Sequence, residues 1–239
     1  MLPMTTGRRV ALAIGVPLCL VLTANTGFAL VANIGRGKIP VSYHVPAGGR
    51  QVSVTTSGGN VLLRRGSGDR ASLAGTGTYS LVRPHITERI TAGKASLGYD
   101  CVVPEGPCEL DATLTVPAGM AVSVSTGGGD MAASGVSGPI SLSTGGGDVQ
   151  ATGVAATQVS ADTGGGDIEI VFTQVPRNVQ VSTGGGNITI VVPRGDTPYH
   201  VVAGTGGGSV NDPIPLDSSS PNLITATSGG GDITVREAS

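Results

Sequence analysis

Thr126-Gly127-Gly128-Gly129-Asp130 opens a series that returns at Thr144, Thr163, Thr183, Thr205 and Ser228. An earlier relative, Thr56-Ser57-Gly58-Gly59-Asn60, stands apart. The six later copies begin at intervals of 18, 19, 20, 22 and 23 residues. A repeat of this length is one supersecondary unit stacked on itself. Four and two residues before each opening Thr or Ser stand Val122/Val124, Ile140/Leu142, Val159/Ala161, Val179/Val181, Val201/Ala203 and Ile224/Ala226. Five and seven residues after it stand Met131/Ala133, Val149/Ala151, Ile168/Ile170, Ile188/Ile190, Val210/Asp212 and Ile233/Val235. Of these 24 slots 23 are apolar, and Asp212 is the exception. Alternation with period two marks a strand with one buried face.

Each unit therefore reads as strand, Gly-rich corner, strand and variable loop. The first copy keeps the register, with Val52 and Val54 before Thr56 and Val61 and Leu63 after it. Helix is excluded, because segments so rich in Gly and Ser/Thr are poor helix formers. Strands this short bury an inner face only when stacked. The expected fold is all-β, a repeat β-solenoid resembling a parallel β-helix, with equivalent strands about 4.8 Å apart. Six rungs make a rod roughly 29 Å long. At the corners Gly supplies positive φ or lets the rungs above and below approach closely.

The residue after each glycine triplet admits two readings. In the structural one, Asp or Asn bonds local backbone and tolerates a left-handed conformation. In the other, Asp130, Asp148, Asp167 and Asp232 form a calcium ladder. Calcium wants six to eight oxygens, the calcium-binding roll repeats every nine residues, and Asn187 and Ser209 interrupt the acids here. The structural reading is preferred, with no cofactor expected and calcium as the alternative.

Arg8-Arg9 precedes apolar residues 10–22, and a second apolar stretch ends at Ile34 before Arg36 and Lys38. Residues 10–34 fit one membrane-spanning helix after a short cytoplasmic N-terminus, residues 1–9. Alternatively residues 10–22 are the core of a cleaved signal peptide, with Gly27-Phe28-Ala29 as the cleavage site. The retained anchor is preferred. It places a single-pass protein in the cell membrane with its C-terminal part extracellular, and cleavage would release a secreted protein. Cys19 follows Val16-Pro17-Leu18, which lacks the small residue expected before a lipidated cysteine. Cys101 and Cys108 flank Val103-Pro104-Glu105-Gly106-Pro107, a natural disulfide loop in an oxidising compartment. Zinc would need more ligands, and His44, His85 and His200 are scattered.

Residues 39–115 are less regular, holding the first repeat, the Cys pair and further strands expected over 71–79, 95–102 and 109–116. Residues 116–239 hold the six regular copies. The irregular part is expected to cover one end of the stack, leaving the rung nearest the C-terminus open to edge pairing; the oligomeric state is not readable. Net charge is −2, but residues 1–94 carry 11 Lys/Arg against two acids, and residues 95–239 three Arg against 14 acids. Arg50, Arg64, Arg65, Arg70, Arg83, Arg89 and Lys94 are either ordinary solvated surface or a contact for anionic envelope polymer or lipid. Aromatics make up 3% of the chain, too few for nucleic-acid stacking platforms.

The basic N-terminus with its apolar segment, Tyr79-Ser80-Leu81-Val82-Arg83-Pro84, the Cys101/Cys108 pair, Leu114-Thr115-Val116-Pro117-Ala118-Gly119 and the repeat series together resemble a known family. It is the actinobacterial group of β-strand-repeat proteins labelled as adhesins, a domain of unknown function. The resemblance covers nearly the whole chain. It implies a single-pass or secreted envelope protein with a solenoid-like body, and it carries no catalytic motif.

The expected function is a structural, adhesive or sensory role at the cell surface without catalysis. Envelope polysaccharide or a surface protein would be the partner, and the N-terminal segment the membrane contact. The alternatives are a calcium-stabilised module and a polysaccharide-active enzyme. Glycoside cleavage needs paired carboxylates, for which Asp162, Asp167 and Glu169 are the candidates. No Gly-x-Ser-x-Gly elbow or histidine pairing supports nucleophilic catalysis.

Overall fold

A computed structural model describes residues 36–46, 48–101 and 106–239. The expectations for the N-terminus and for residues 10–34 fall outside the described residues. Among the described residues, no helix is long and apolar enough to cross a membrane.

The described chain is all strand and turn. It enters through β1 (Arg36–His44), β2 (Gln51–Thr56), β3 (Val61–Arg65), β4 (Ser72–Ser80), β5 (His85–Thr91), β6 (Lys94–Asp100) and β7 (Glu109–Val116). The regular series follows: β8 (Ala121–Thr126), β9 (Met131–Ser134), β10 (Ile140–Thr144), β11 (Val149–Val154), β12 (Gln158–Thr163), β13 (Ile168–Phe172), β14 (Asn178–Thr183) and β15 (Ile188–Val192). Last come β16 (His200–Thr205), β17 (Val210–Asn211), β18 (Leu223–Ser228) and β19 (Ile233–Glu237). Two sheets result, of ten strands in the order β1-β4-β7-β3-β9-β11-β13-β15-β19-β17 and of nine in the order β16-β18-β14-β12-β10-β8-β2-β6-β5.

Each repeat gives one strand to each sheet and crosses between them at its glycine corner. Equivalent strands pair in parallel with slots matched: Ile140 faces Val122 on one side and Val159 on the other, and Ile168 faces Val149 and Ile188. The alternation predicted from sequence is the burial pattern observed, except in the copy at Thr205, where Val201 and Ala203 are only half-buried and Val210 is exposed. Val122, Val124, Ile140, Leu142, Val179, Val181, Ile188 and Ile190 are all buried in one core between the sheets. Removing this apolar area from water stabilises the body, since no rung can bury its face alone.

The order of rungs departs from the order of the sequence at both ends. Near the N-terminal end, β6 and β7 form a rung outside β2 and β3, although they follow them in the chain. At the other end the last copy, β18 and β19, lies between the copy at Thr183 and the copy at Thr205. The terminal rung is thus β16/β17, and the expectation that the chain's last strands leave an open edge is corrected. The segment between β17 and β18 closes this end. Ile214 is buried there, Tyr199 bridges to Leu216, and the Asp217 N–H donates to the Tyr199 carbonyl at 2.9 Å. The opposite end is covered by antiparallel strands, β4 on β7, β1 on β4 and β5 on β6. Strands β1 and β5 were not expected from the sequence.

Candidate functional site

The corners stack on one another and carry two files of hydrogen bonds. In the first, the Thr or Ser hydroxyl donates to the carbonyl of the third corner residue of the neighbouring rung. The bonds are Thr144 to Gly129 at 2.8 Å, Thr163 to Gly147 at 2.7 Å, Thr183 to Gly166 at 2.8 Å, Ser228 to Gly186 at 2.8 Å and Thr205 to Gly231 at 2.7 Å. These polar side chains end strands that are otherwise apolar inside, and they are buried in every rung but that of Thr205. Their partners make that burial tolerable.

In the second file, the residue after the triplet accepts the backbone N–H of its counterpart one rung on. Asp111 Oδ1 accepts from Asn60 N, Asn60 from Asp130, Asp130 from Asp148, Asp148 from Asp167, Asp167 from Asn187, Asn187 from Asp232 and Asp232 from Ser209. The donor–acceptor distances run from 2.7 Å at Asn187 to 3.0 Å at Asp148. Asn serves as well as Asp because only an oxygen acceptor is required. Ser209 is where the file ends: its N–H and hydroxyl both donate to Asp232 Oδ1, at 2.8 and 3.0 Å, and together hold the Asp232 carboxyl below its ordinary value. This rung has no successor, so no acceptor side chain is needed there.

The acids Asp130, Asp148, Asp167 and Asp232, singled out from sequence, therefore stand in register along one edge. Among the described residues, no group of three or more His, Cys, Asp or Glu is placed to hold a metal ion. Three of the four, Asp130, Asp148 and Asp167, also line an open groove of about 940 Å³ on the outer face of the ten-stranded sheet. The groove runs from β13 across β11, β9, β3 and β7 to β4 and β1, where Lys38, Thr76 and Thr78 form its far side. Asp111 and Glu169 add carboxylates, and Glu169 accepts from Gln150 Nε2 at 3.2 Å. Of the enzymatic candidates, Asp167 and Glu169 share the groove, whereas Asp162 lies on β12 of the other sheet, beside the Ser160 hydroxyl at 3.4 Å. Among the described residues, no His, Cys or Ser lines the groove. What it offers is a wide, acidic, amide-bearing surface with one ammonium group.

Sequence reasoning missed Lys38, Asp111 and Gln150 as groove residues. Asp111 is the base of the acid file but follows the Cys loop instead of a glycine triplet. Pairing of Asn60 with Asp111, one residue before the Val61–Ala112 match, was the signal.

Cys101 and Cys108 are joined as a disulfide with Cα atoms 5.9 Å apart. They close the corner of the β6/β7 rung, where the glycine triplet is missing. Tyr99, buried where other rungs carry Thr or Ser, donates its hydroxyl to the Thr78 carbonyl at 3.1 Å. Burial, and then the charge of Tyr79, push its pKa up to about 12.

No curated protein shows significant sequence similarity to this chain. Among solved structures it is similar to a "putative cell adhesion protein" from Clostridium sporogenes, at 13% identity and a TM-score of 0.50, covering 84% of this chain and 100% of that one. It is also similar to a "putative adhesin" from Bacteroides fragilis, at 14% identity and a TM-score of 0.48, covering 84% and 97%. At 13% identity the first of these speaks to the fold alone. The Toastrack DUF4097 family model matches residues 38–239, which takes in the corner file, the groove and both covered ends, and the chain belongs to that family.

Proposed function

We propose that the protein is an exported, non-catalytic binding protein of the bacterial cell envelope, of the actinobacterial branch its sequence resembles, holding a surface partner in the groove of its ten-stranded sheet. The single observation that carries this is the groove itself. It is long and open, and its five carboxylates lie on a rigid hydrogen-bonded frame with no nucleophile–base pair among the described lining residues. Rigid concave faces of solenoids suit extended partners. Hydroxyls, amides and carboxylates in rows suit the hydroxyls of a polysaccharide. The disulfide fits an oxidising compartment, and the apolar residues 10–34 fit a retained anchor.

The test is a glycan array probed with the full chain in detergent, run both with calcium and with chelator. The expected result is binding to extended envelope polysaccharides, unaffected by chelator and lowered at least tenfold by Gln150→Ala with Glu169→Ala. Binding unchanged in that double variant removes the groove from the reading. Cleavage of a bound glycan, lost in Asp167→Ala, replaces it with an enzyme. Loss of binding or of the melting transition on chelation restores calcium.

A further inference from the structure

The end of the molecule covered by β1 and β5 is both apolar and basic. Among the described residues, seven large hydrophobic side chains are exposed, and three of them sit here: Leu81 at 41%, Val82 at 48% and Ile90 at 54%. Leu81 has φ 57°, a left-handed conformation that bulky residues avoid. Its turn carries the chain from β4 in one sheet to β5 in the other, and so crosses the end of the stack. A large apolar residue is thus fixed outward in a disfavoured backbone geometry, where Gly or Asn would fit at less cost. Arg83 lies in the same turn, Arg89 on β5 and Lys94 at the start of β6, all exposed. Glu88, also exposed, is the one acid between Leu81 and Lys94. Only Gly35 separates Arg36, the first residue of β1, from the apolar sequence ending at Ile34.

Exposed apolar side chains set among cations are the composition of a surface that enters a headgroup layer. We propose that this pole seats on an anionic bilayer, with Leu81, Val82 and Ile90 among the headgroups and Arg83, Arg89 and Lys94 against lipid phosphates. The rod then stands away from the membrane with β16 and β17 outermost. This deepens the anchored reading, because an anchor joined at Arg36 holds the pole at the bilayer surface, but the seating is a separate contact with its own charge dependence.

The chain contains no tryptophan, so single reporters can be placed. Val82→Trp, Ile90→Trp and, at the opposite pole, Val202→Trp are reconstituted as full chains into vesicles of phosphatidylglycerol and phosphatidylcholine, or of phosphatidylcholine alone, containing brominated lipid. Flotation reports the anchor, and fluorescence quenching reports the pole. The expected result is strong quenching at 82 and 90 in anionic vesicles, weaker quenching in neutral ones and none at 202. Three reversals, Arg83→Glu, Arg89→Glu and Lys94→Glu, should lower the quenched fraction by more than about threefold, cations near such a surface being its main electrostatic hold. Chains that float with 82 as unquenched as 202 overturn the seating and leave the anchor standing. Chains that fail to float on neutral vesicles but are quenched on anionic ones refute the anchor and keep the seating. Binding of soluble poly(glycerol phosphate) that is lost on the reversals, with no lipid quenching, overturns the lipid in favour of a wall polymer.

Discussion

A Cβ atom on Gly145 would strike the Gly127 carbonyl, and one on Gly147 the Gly129 carbonyl, while one on Gly146 would meet nothing within 4 Å. The same holds at Gly164, Gly165 and Gly166 and at Gly184, Gly185 and Gly186, so the outer glycines of each triplet serve close stacking and the middle one does not. Positive φ, the other reason the sequence offered, occurs in the described glycine-rich repeat corners only at Gly59 and Gly129, and in the cystine-closed corner at Gly106. Urea unfolding should show Gly145→Ala or Gly147→Ala losing about 2–3 kcal/mol through overpacking against backbone. Gly146→Ala should be neutral or gain up to about 1 kcal/mol by restricting the unfolded chain. In the acid file, Asp148→Asn should stay within about 0.5 kcal/mol of the parent, while Asp148→Ala should lose about 1 kcal/mol by orphaning the Asp167 N–H. Tyr99 sets an alkaline limit. Its folded pKa lies above the ordinary 10.0, so its contribution is complete below pH 10 and is lost as pH rises towards about 12. Melting temperatures followed from pH 8 to 11.5 should fall steeply above pH 10, and less steeply in Tyr99→Phe.

At the scale of strands, the regular units were legible because alternation and corner chemistry repeat together. Every pairing from β8 to β15 follows from matching slots. The exchange of the last two rungs was not legible, because any rung offers its neighbour the same valines and the same carbonyls. Connections decide it instead. The stretch after β17 carries Pro213 and Pro215 and buries Ile214 over the end, which only the outermost rung permits. Ser209 and Asp212, the two breaks in the repeat, both belong to this rung. Its strand β17 has shortened to two residues and ends beside Asp212, devices that discourage pairing with another chain. Strand β5 escaped the sequence reading because its apolar positions are few and it stays largely exposed; β1 does alternate through Ile39, Val41 and Tyr43, but no glycine corner marks it as part of the repeat. In the β6/β7 rung, the Cys101–Cys108 disulfide stands in for a glycine corner. Replacing both cysteines with Ser should cost about 2 kcal/mol, by loop-closure entropy for so short a loop, with the regular rungs retained in the circular dichroism spectrum.

The described residues form a ladder of eight rungs with three added strands, spanning about 43 Å across the ten-stranded sheet at strand spacing. Charge is divided across it as well as along it. The corner edge carries the file of acids, while Arg50, Arg64, Arg65, Arg89 and Lys94 lie at or near the opposite strand ends of the first rungs. The groove was half legible in advance, since its acids recur with the repeat while its far side comes from β1 and β4, whose antiparallel return no motif announces. Groove and file depend on the stacking of equivalent corners, and the closure of one end depends on the last copy being inserted. Cysteine pairs on the outer face of the nine-stranded sheet test this stacking order directly under mild oxidation, read by intact mass after proteolysis. Thr225 sits opposite both Gln180 and Val202. Gln180→Cys with Thr225→Cys, and Thr225→Cys with Val202→Cys, should each form a bond. Gln180→Cys with Val202→Cys, two strands and about 9.6 Å apart, should not. Efficient bonding of that third pair, with failure of the first, would mean that the rungs stack in the order of the sequence and would contradict the account.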